Sequence, residues 1–408
     1  MAARPHELGL RKDTISLSKA LIKTEKQPEK AILIAVERQN SDVDDDLREL
    51  AELVRTAGGE AVQVVRQKRS APDPATYLGS GKVEEVKELI AALGADLVVV
   101  DDELSPGQAR NLGEALERRV LDRTQLILDI FAQRARTSEG KLQVELAQLS
   151  YMLPRLSGLY TKFERQQGGI GLRGPGETKL EADRRRVRDR ISEVKQQVDQ
   201  VRKQRGVQRA NRSRQGFQTV ALVGYTSAGK STLLNALAGS DVYADPKLFA
   251  TLDPTTRKVL LPCGRSILVS DTVGFIRRLP HGLVAAFRAT LEETVEADVL
   301  LHVVDASHAE RDKQMEAVID VLTDLHIQDK PIITVLNKID LVKDTYELRE
   351  RAALTPDTVY ISAKTHDGLK QLLITVERVL AHAERRRRQE EDAARELEAE
   401  QRRALRTL

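Results

Sequence analysis

The 408-residue chain has a single cysteine, Cys263, and no tryptophan, and aromatic residues make up only 3% of it. One thiol excludes an intramolecular disulfide and a multi-cysteine zinc site. Long hydrophobic runs are also missing: no N-terminal stretch resembles a signal peptide, and none approaches the length of a membrane span. Charge of one sign is not in excess either. Sixty-five Lys and Arg against 62 Asp and Glu leave a formal charge of +3, so affinity for nucleic acid must come from local patches. These absences describe a soluble, cytoplasmic protein, with partial membrane association left open. What is present is 41% hydrophobic and 31% charged residues, enough for real cores and for long solvated helices. The length implies two or three domains.

Residues 1–30 are polar and unpatterned, which predicts a loose leader. From 31 to 125, apolar β-branched runs (31–37, 61–67, 96–103) alternate with helical stretches near 44–57 and 82–93 and after Ser105-Pro106. Ser105 suits an N-cap with Pro106 in the first turn. Such alternation predicts a small α/β domain with a parallel sheet. Between 126 and 215, Leu142, Leu146, Leu149, Leu153 and Leu156 recur in steps of four and three. Leu180, Val187, Ile191, Val194, Val198 and Val201 follow the same rule. Two seams joined by one loop predict an antiparallel helical hairpin. Its connection, 168-GGIGLRGPGETKLE-181, is too rich in glycine for a helix interior and predicts a loop over 168–179. Pro154 should kink or end the first helix. Residues 216–383 return to α/β alternation, with strands expected at 219–223, 259–262, 266–270, 299–304, 332–336 and 358–361. The charged stretch 384–408 reads as a solvated helix or frayed tail.

The segment 219-TVALVGYTSAGKST-232 is an apolar strand followed by Gly224, four residues, and Gly229-Lys230-Ser231. In a strand–loop–helix setting this is a phosphate-binding loop whose backbone N–H groups face the phosphates. A glycine-rich structural turn is the weaker alternative. Lys230 would reach the β- and γ-phosphates, and the Ser231 hydroxyl would ligate magnesium. Strand 266–270 runs into Asp271-Thr272-Val273-Gly274, where a carboxylate can hold magnesium through water and the Gly274 amide can meet the γ-phosphate. Strand 332–336 delivers Asn337-Lys338-Ile339-Asp340. The Asp340 carboxylate can accept from the N1 and N2 donors of guanine, a pair that adenine lacks. Ser362-Ala363-Lys364 can then close over the base. Four motifs in this order point to GTP rather than ATP.

A threonine should cover the magnesium ion, and 249-FATLDPTTR-257 offers Thr251, Thr255 and Thr256. The position after Asp-x-x-Gly, often a glutamine that orients the attacking water, is Phe275, followed by Ile276. Phe275 either packs in a core or marks a site that a partner must complete. Both readings predict slow turnover alone.

On these residues the chain resembles the HflX family of ribosome-associated GTPases over about 30–385. The resemblance rests on 168-GGIGLRGPGETKLE-181, 77-YLGSGKVEEV-86, 101-DDELSPGQARNL-112, 143-QVELAQLSYMLPRL-156 and 271-DTVGFIRRLPHGLV-284. It implies an α/β fold: a P-loop GTPase domain plus an N-terminal α/β domain and an antiparallel helical hairpin. It also assigns Thr251 the magnesium role, beside Ser231 and Asp271, and makes Lys230, Thr251 and Gly274 the catalytic set. The nucleotide would be lined by Gly224, Tyr225, Thr226, Ser227, Ala228 and Gly229, by Phe249, Ala250, Leu252 and Asp253, and by Thr272, Val273, Lys338, Ile339, Ala363 and Lys364. Ser227 stands where some related GTPases keep an asparagine for a potassium ion, which puts a potassium requirement in question. Gly79-Ser80-Gly81-Lys82 has a passing likeness to a second phosphate loop but lacks its spacing, and reads as a helix start.

The implied partners are GTP or GDP with Mg2+, and the large ribosomal subunit with its rRNA; the implied state is a monomer that splits or rescues ribosomes under stress. Residues 182–214 hold twelve Arg or Lys against four Asp or Glu. That density suits rRNA phosphates, or else a solvated helix between domains. Aromatics are nearly absent there, so phosphate and shape contacts are favoured over base stacking. Gly169, Gly171, Arg173, Gly174, Gly176, Lys179, Arg184 and Arg185 are the candidate contacts. A GTP-dependent regulatory module for a protein partner and a ribosome-assembly GTPase are the alternatives.

Overall fold

The computed structural model describes residues 28–38, 43–156, 175–214, 216–239, 248–278, 291–327, 329–343, 355 and 357–406. The leader over 1–27 and most of the glycine-rich stretch, 168–174, lie outside them.

The β-branched runs near the N-terminus form four parallel strands, β1 (Lys30–Glu37), β2 (Glu60–Lys68), β3 (Leu97–Val100) and β4 (Arg119–Asp122), in the order β2-β1-β3-β4. Strand β4, four residues long, was not expected from the sequence pattern. Helices α1 (Val43–Ala57) and α4 (Arg123–Arg134) cover one face, burying Leu47, Leu50, Leu53, Ile127 and Phe131. Helices α2 (Ser80–Leu93) and α3 (Pro106–Leu116) cover the other, burying Val83, Val86, Ile90 and Leu112. Helix α3 starts in a complete capping box, with Ser105 accepting from the Gln108 amide and the Gln108 side chain accepting from the Ser105 amide. The Gly79–Lys82 stretch opens α2, with Gly79 as its N-cap. Chain order reverses between β1 and β3, so a crevice opens at the carboxyl ends of those strands.

Helix α5 (Ser138–Met152) continues into a 3-10 turn at Leu153–Arg155, where Pro154 sits. Helix α6 (Pro175–Arg214) packs along α5, and the ion pairs Glu145–Arg190 (2.7 Å) and Glu139–Arg205 (2.7 Å) tie the two together. Glycine-rich as it is, 175–179 belongs to α6: Pro175 opens the helix, where its missing N–H costs nothing. The buried face of α5 is also not the leucine seam. Glu139, Gly140, Gln143, Val144 and Ala147 are buried, while Leu142, Leu146 and Leu149 are half-buried. On α6, Val194 is fully buried and Val187, Ile191, Val198 and Val201 are half-buried, following the expected step.

The second sheet has the order β10-β9-β8-β5-β7-β6, from β5 (Thr219–Gly224), β6 (Thr255–Leu260), β7 (Ser266–Asp271), β8 (Val299–Asp305), β9 (Ile332–Asn337) and β10 (Thr358–Tyr360). Only β6 is antiparallel. Where a strand was expected at 259–262, β6 spans Thr255–Leu260. As an edge strand it presents a half-exposed polar run, Thr255-Thr256-Arg257-Lys258, with little apolar signal. Helices α7 (Lys230–Ala238), α8 (Glu292–Glu296), α9 (Arg311–Asp324) and α10 (Leu369–Arg406) complete this part. Helix α10 is continuous through residue 384, with no break before the charged tail.

Candidate nucleotide site

Strand β5 ends in Gly224, and the loop to α7 carries Ser227 in a left-handed conformation before Gly229 caps the helix. Lys230, buried, donates to the carbonyls of Gly224 (3.0 Å) and Tyr225 (2.9 Å). Burial lowers its pKa to about 8, against the pull of the Asp271 carboxylate. Burial disfavours its charged form, so the cation has a strong demand for anionic oxygens, which nucleotide phosphates satisfy.

Asp271, at the end of β7, meets Ser231 and Thr251 in a triangle of oxygens. The edges are 2.6 Å (Ser231 Oγ to Asp271 Oδ2), 2.8 Å (Thr251 Oγ1 to Asp271 Oδ2) and 2.9 Å between the two hydroxyls. With Asp271 ionised, two hydroxyl protons must serve three edges, and Asp271 Oδ1 is buried without a hydrogen-bond partner. Burial also pushes the Asp271 carboxyl up from its ordinary range. A small, hard dication accepts all three oxygens and offsets the buried charge, so the set fits magnesium. Thr255 and Thr256 lie in β6, and Thr256 pairs with Ser270 (2.8 Å), which leaves Thr251 as the threonine within reach.

The guanine motif is assembled from three segments. Asn337 donates to the carbonyl of Ala228 (2.8 Å) and accepts from the Ala363 amide (3.0 Å), locking the phosphate loop, β9 and the segment after β10 together. Ser362 Oγ donates to Asp340 Oδ1 (2.7 Å), which orients that carboxylate. Lys338 takes a left-handed conformation and pairs with Asp305 (2.6 Å). Asp305 was missed in the sequence, although a carboxylate at a strand's carboxyl end, as at Asp271, was a usable signal.

The segment after Asp271 is zipped to the phosphate loop. Phe275 donates its amide to Gly224 (3.1 Å) and accepts from Thr226 (2.8 Å). A Cβ on Gly274 would come within 2.9 Å of the Thr226 backbone and 3.0 Å of Lys230 Nζ, so only glycine fits there. The Phe275 ring is buried with Val223, Leu291 and Leu300, while Ile276 is buried on the other side with Tyr225 and Val273. Neither side chain offers water a polar atom.

Several expected nucleotide contacts point elsewhere. The Tyr225 hydroxyl donates to Glu49 and accepts from the Arg277 amide (2.9 Å). Phe249, Leu252 and Val273 are buried in the core shared with α1, α4 and α5, and Asp253 meets the start of α5. These side chains are drawn off because the first sheet and its helices lie directly against this edge and bury apolar surface there. Ala250 is half-buried in the same loop, and Lys364 is exposed. Of the candidates for RNA contact, Gly169, Gly171, Arg173 and Gly174 lie outside the described residues, and Gly176, Lys179, Arg184 and Arg185 belong to α6.

Between the two sheets lies a charge network that the sequence does not announce. Buried Arg123 pairs with Glu49 and with Asp101 (2.9 Å) and donates to the Arg277 carbonyl (3.1 Å). Arg278 reaches Asp46 (2.7 Å) and Asp101 (3.1 Å), and Arg277 reaches Asp46 (3.2 Å). Burial pushes the Glu49 and Asp101 carboxyls upward, and Arg123 pulls both back.

A phosphate loop, a magnesium-type oxygen set and a guanine carboxylate on one sheet edge define a P-loop GTPase. The chain matches the family model described as "GTP-binding GTPase N-terminal" over residues 44–132, "GTP-binding GTPase Middle Region" over 134–212 and "50S ribosome-binding GTPase" over 219–338. It is 51% identical to GTPase HflX of Caldanaerobacter subterraneus over 86% of this chain and 81% of that one. It is 49% identical to GTPase HflX of Escherichia coli over 84% and 81%. The chain belongs to the HflX family of GTPases. Among solved structures, the crystal structure of SsGBP with GDP has the same fold, with a TM-score of 0.50 at 24% identity over 87% of this chain and 99% of that one.

Proposed function

We propose that the chain is a magnesium-dependent GTP switch that binds the large ribosomal subunit through α6, and that it dissociates or rescues ribosomes, under stress in particular. Ser231, Thr251 and Asp271 would hold a magnesium ion, whose charge would offset that of the nucleotide phosphates. Lys230 holds the phosphate oxygens, Gly274 offers its amide to the γ-phosphate, and Asp340 selects guanine. With Phe275 in the core, no side chain of that segment orients the attacking water, so hydrolysis is slow until a partner completes the site.

The observation that carries the ribosomal reading is the free charge on α6. Arg184, Arg185, Arg188, Lys195 and Lys203 make no ion pair among the described residues, while Arg190, Arg202 and Arg205 are held by carboxylates of the protein itself. A helix that spends some arginines on its own fold and leaves others to solvent suits RNA phosphates better than a uniformly neutralised strut. Support also comes from the match over 219–338 to the family model described as a 50S ribosome-binding GTPase. The reading further takes the protein as a monomer and the cytoplasm as its place; no described helix is long and apolar enough to cross a membrane. Cosedimentation of the protein loaded with a non-hydrolysable GTP analogue and purified large subunits tests it. Binding at low salt that weakens steeply as salt rises is expected; no binding at low salt would end the ribosomal reading.

A further inference from the structure

The loop that brings Thr251 to the magnesium site is not held by the GTPase sheet alone. Asp253, two residues on, accepts from the amides of Arg136 and Thr137 (2.9 Å each) through Oδ2, and from the Thr137 hydroxyl (2.5 Å) through Oδ1. Thr137 is the N-cap of α5 and accepts in turn from the Gly140 amide (3.0 Å). A carboxylate there accepts from the amides of the N-cap and the residue before it, and lies at the positive end of the helix dipole. The fit requires glycine at 140, because a Cβ would stand 2.3 Å from Asp253 Oδ1. Independently, Phe249 has a left-handed backbone that a bulky residue seldom adopts, and its ring packs edge-on against Phe131 of α4 (centroids 4.7 Å apart, planes at 72°). Leu252 is buried in the same core.

We propose that the start of α5, with Phe131, is a platform that holds this loop closed over magnesium, and that Asp253 is the positioning residue through which the platform acts on Thr251. The loop then has two anchors. One is the contact of Thr251 with Ser231 and Asp271, which a triphosphate with magnesium would reinforce; the other is supplied by α4 and α5. Two anchors on one short loop stabilise each other, and the coupling is reciprocal. Losing the platform therefore weakens GTP, which uses Thr251, and spares GDP, which does not. The inference rests on the GTP site and not on the ribosomal reading, so its test contains no ribosomes.

The experiment compares the affinities of a fluorescent non-hydrolysable GTP analogue and of fluorescent GDP, both with magnesium, for the full chain and its variants. Asp253→Ala is expected to weaken the GTP analogue about tenfold, the scale of a lost helix cap, with GDP within about twofold. Gly140→Ala, which touches the contact from the helix side, is expected to do the same. Asp253→Asn, keeping one acceptor oxygen, should recover part of the loss. Equal weakening of both nucleotides would show a merely structural contact, and unchanged GTP affinity would show no coupling; either result overturns the proposal. If Asp253→Ala fails to fold, as its melting curve would reveal, Gly140→Ala and Thr137→Ala decide by the same ratio.

Discussion

At the carboxyl ends of β5, β7 and β9 the chain gathers Lys230, Asp271 and Asp340, polar groups whose bonding capacity is not met within the protein. At the carboxyl ends of β3 and β4 it gathers Asp101 and Arg123, with Glu49 of α1 beside them, and these are met by one another and by Arg278 from the GTPase segment. Both are crevices at the edge of a parallel sheet, the place where such sheets bind ligands. One is left open for a nucleotide. The other takes as its occupant two arginines, Arg277 and Arg278, that follow Asp-x-x-Gly by three and four residues. A binding crevice and a docking surface can thus be the same architecture with different electrostatic completion. The consequence is that the two halves differ in what a mutation should do: in the closed crevice it should cost stability, in the open one affinity.

Arg123→Met is the strongest way to break that distinction. It leaves Glu49 buried without its ion-pair partner and Asp101 with Arg278 alone, so unfolding in urea should show a loss of about 3 kcal/mol, the lower end for a broken buried pair. A loss under about 1 kcal/mol would mean that water or Arg277 already solvates the carboxylates. Asp340→Asn should act on the open crevice alone. GTP affinity should fall about a hundredfold or more, because the guanine donors lose their charged acceptor, while nucleotide-free stability changes by under about 1 kcal/mol. Equal weakening of ATP and GTP would contradict the assignment of the base.

The smallest effect is protonic. Lys230 has a folded pKa of about 8 against an ordinary 10.5, so between those values the unfolded chain holds more protons and nucleotide-free stability should rise with pH. The burial penalty on the charged lysine is fully present below pH 8 and is relieved above it. Bound phosphates restore the charge, so GTP binding at pH 9 should take up a proton. Calorimetry in two buffers of different protonation enthalpy should read up to about one proton there and almost none at pH 7. Buffer-independent heats at pH 9 would place Lys230 in a more solvated setting.

The same contrast explains what could be read in advance. Gly224 to Ser231, Asp271 to Gly274 and Asn337 to Asp340 each sit on a strand end and its following turn, and their chemistry is contained within a few residues. The N-cap at Ser105 and the glycine-opened α2 were legible for the same reason. The closed crevice was not. Arg123 lies 74 residues from Glu49, and Arg278 lies 177 from Asp101, so no local pattern connects them. Phe249, Leu252 and Asp253 were assigned to the nucleotide because Thr251 lies among them, but the left-handed backbone at Phe249 breaks any simple alternation, and these side chains turn to α4 and α5. In α5 the leucine repeat marked a helix and not its deepest face, because that helix also packs on α4 through Val144 and Ala147. Strand β6 showed little apolar signal because an edge strand buries little.

The most direct test of the account is the rate of GTP hydrolysis with and without purified large ribosomal subunits, at low and at moderate salt. The buried Phe275 predicts slow turnover by the protein alone, and the basic α6 predicts a large stimulation by subunits that fades as salt rises. Fast hydrolysis without any partner would contradict the reading of Phe275, and intact GTP binding with no stimulation at low salt would contradict a switch worked by the ribosome.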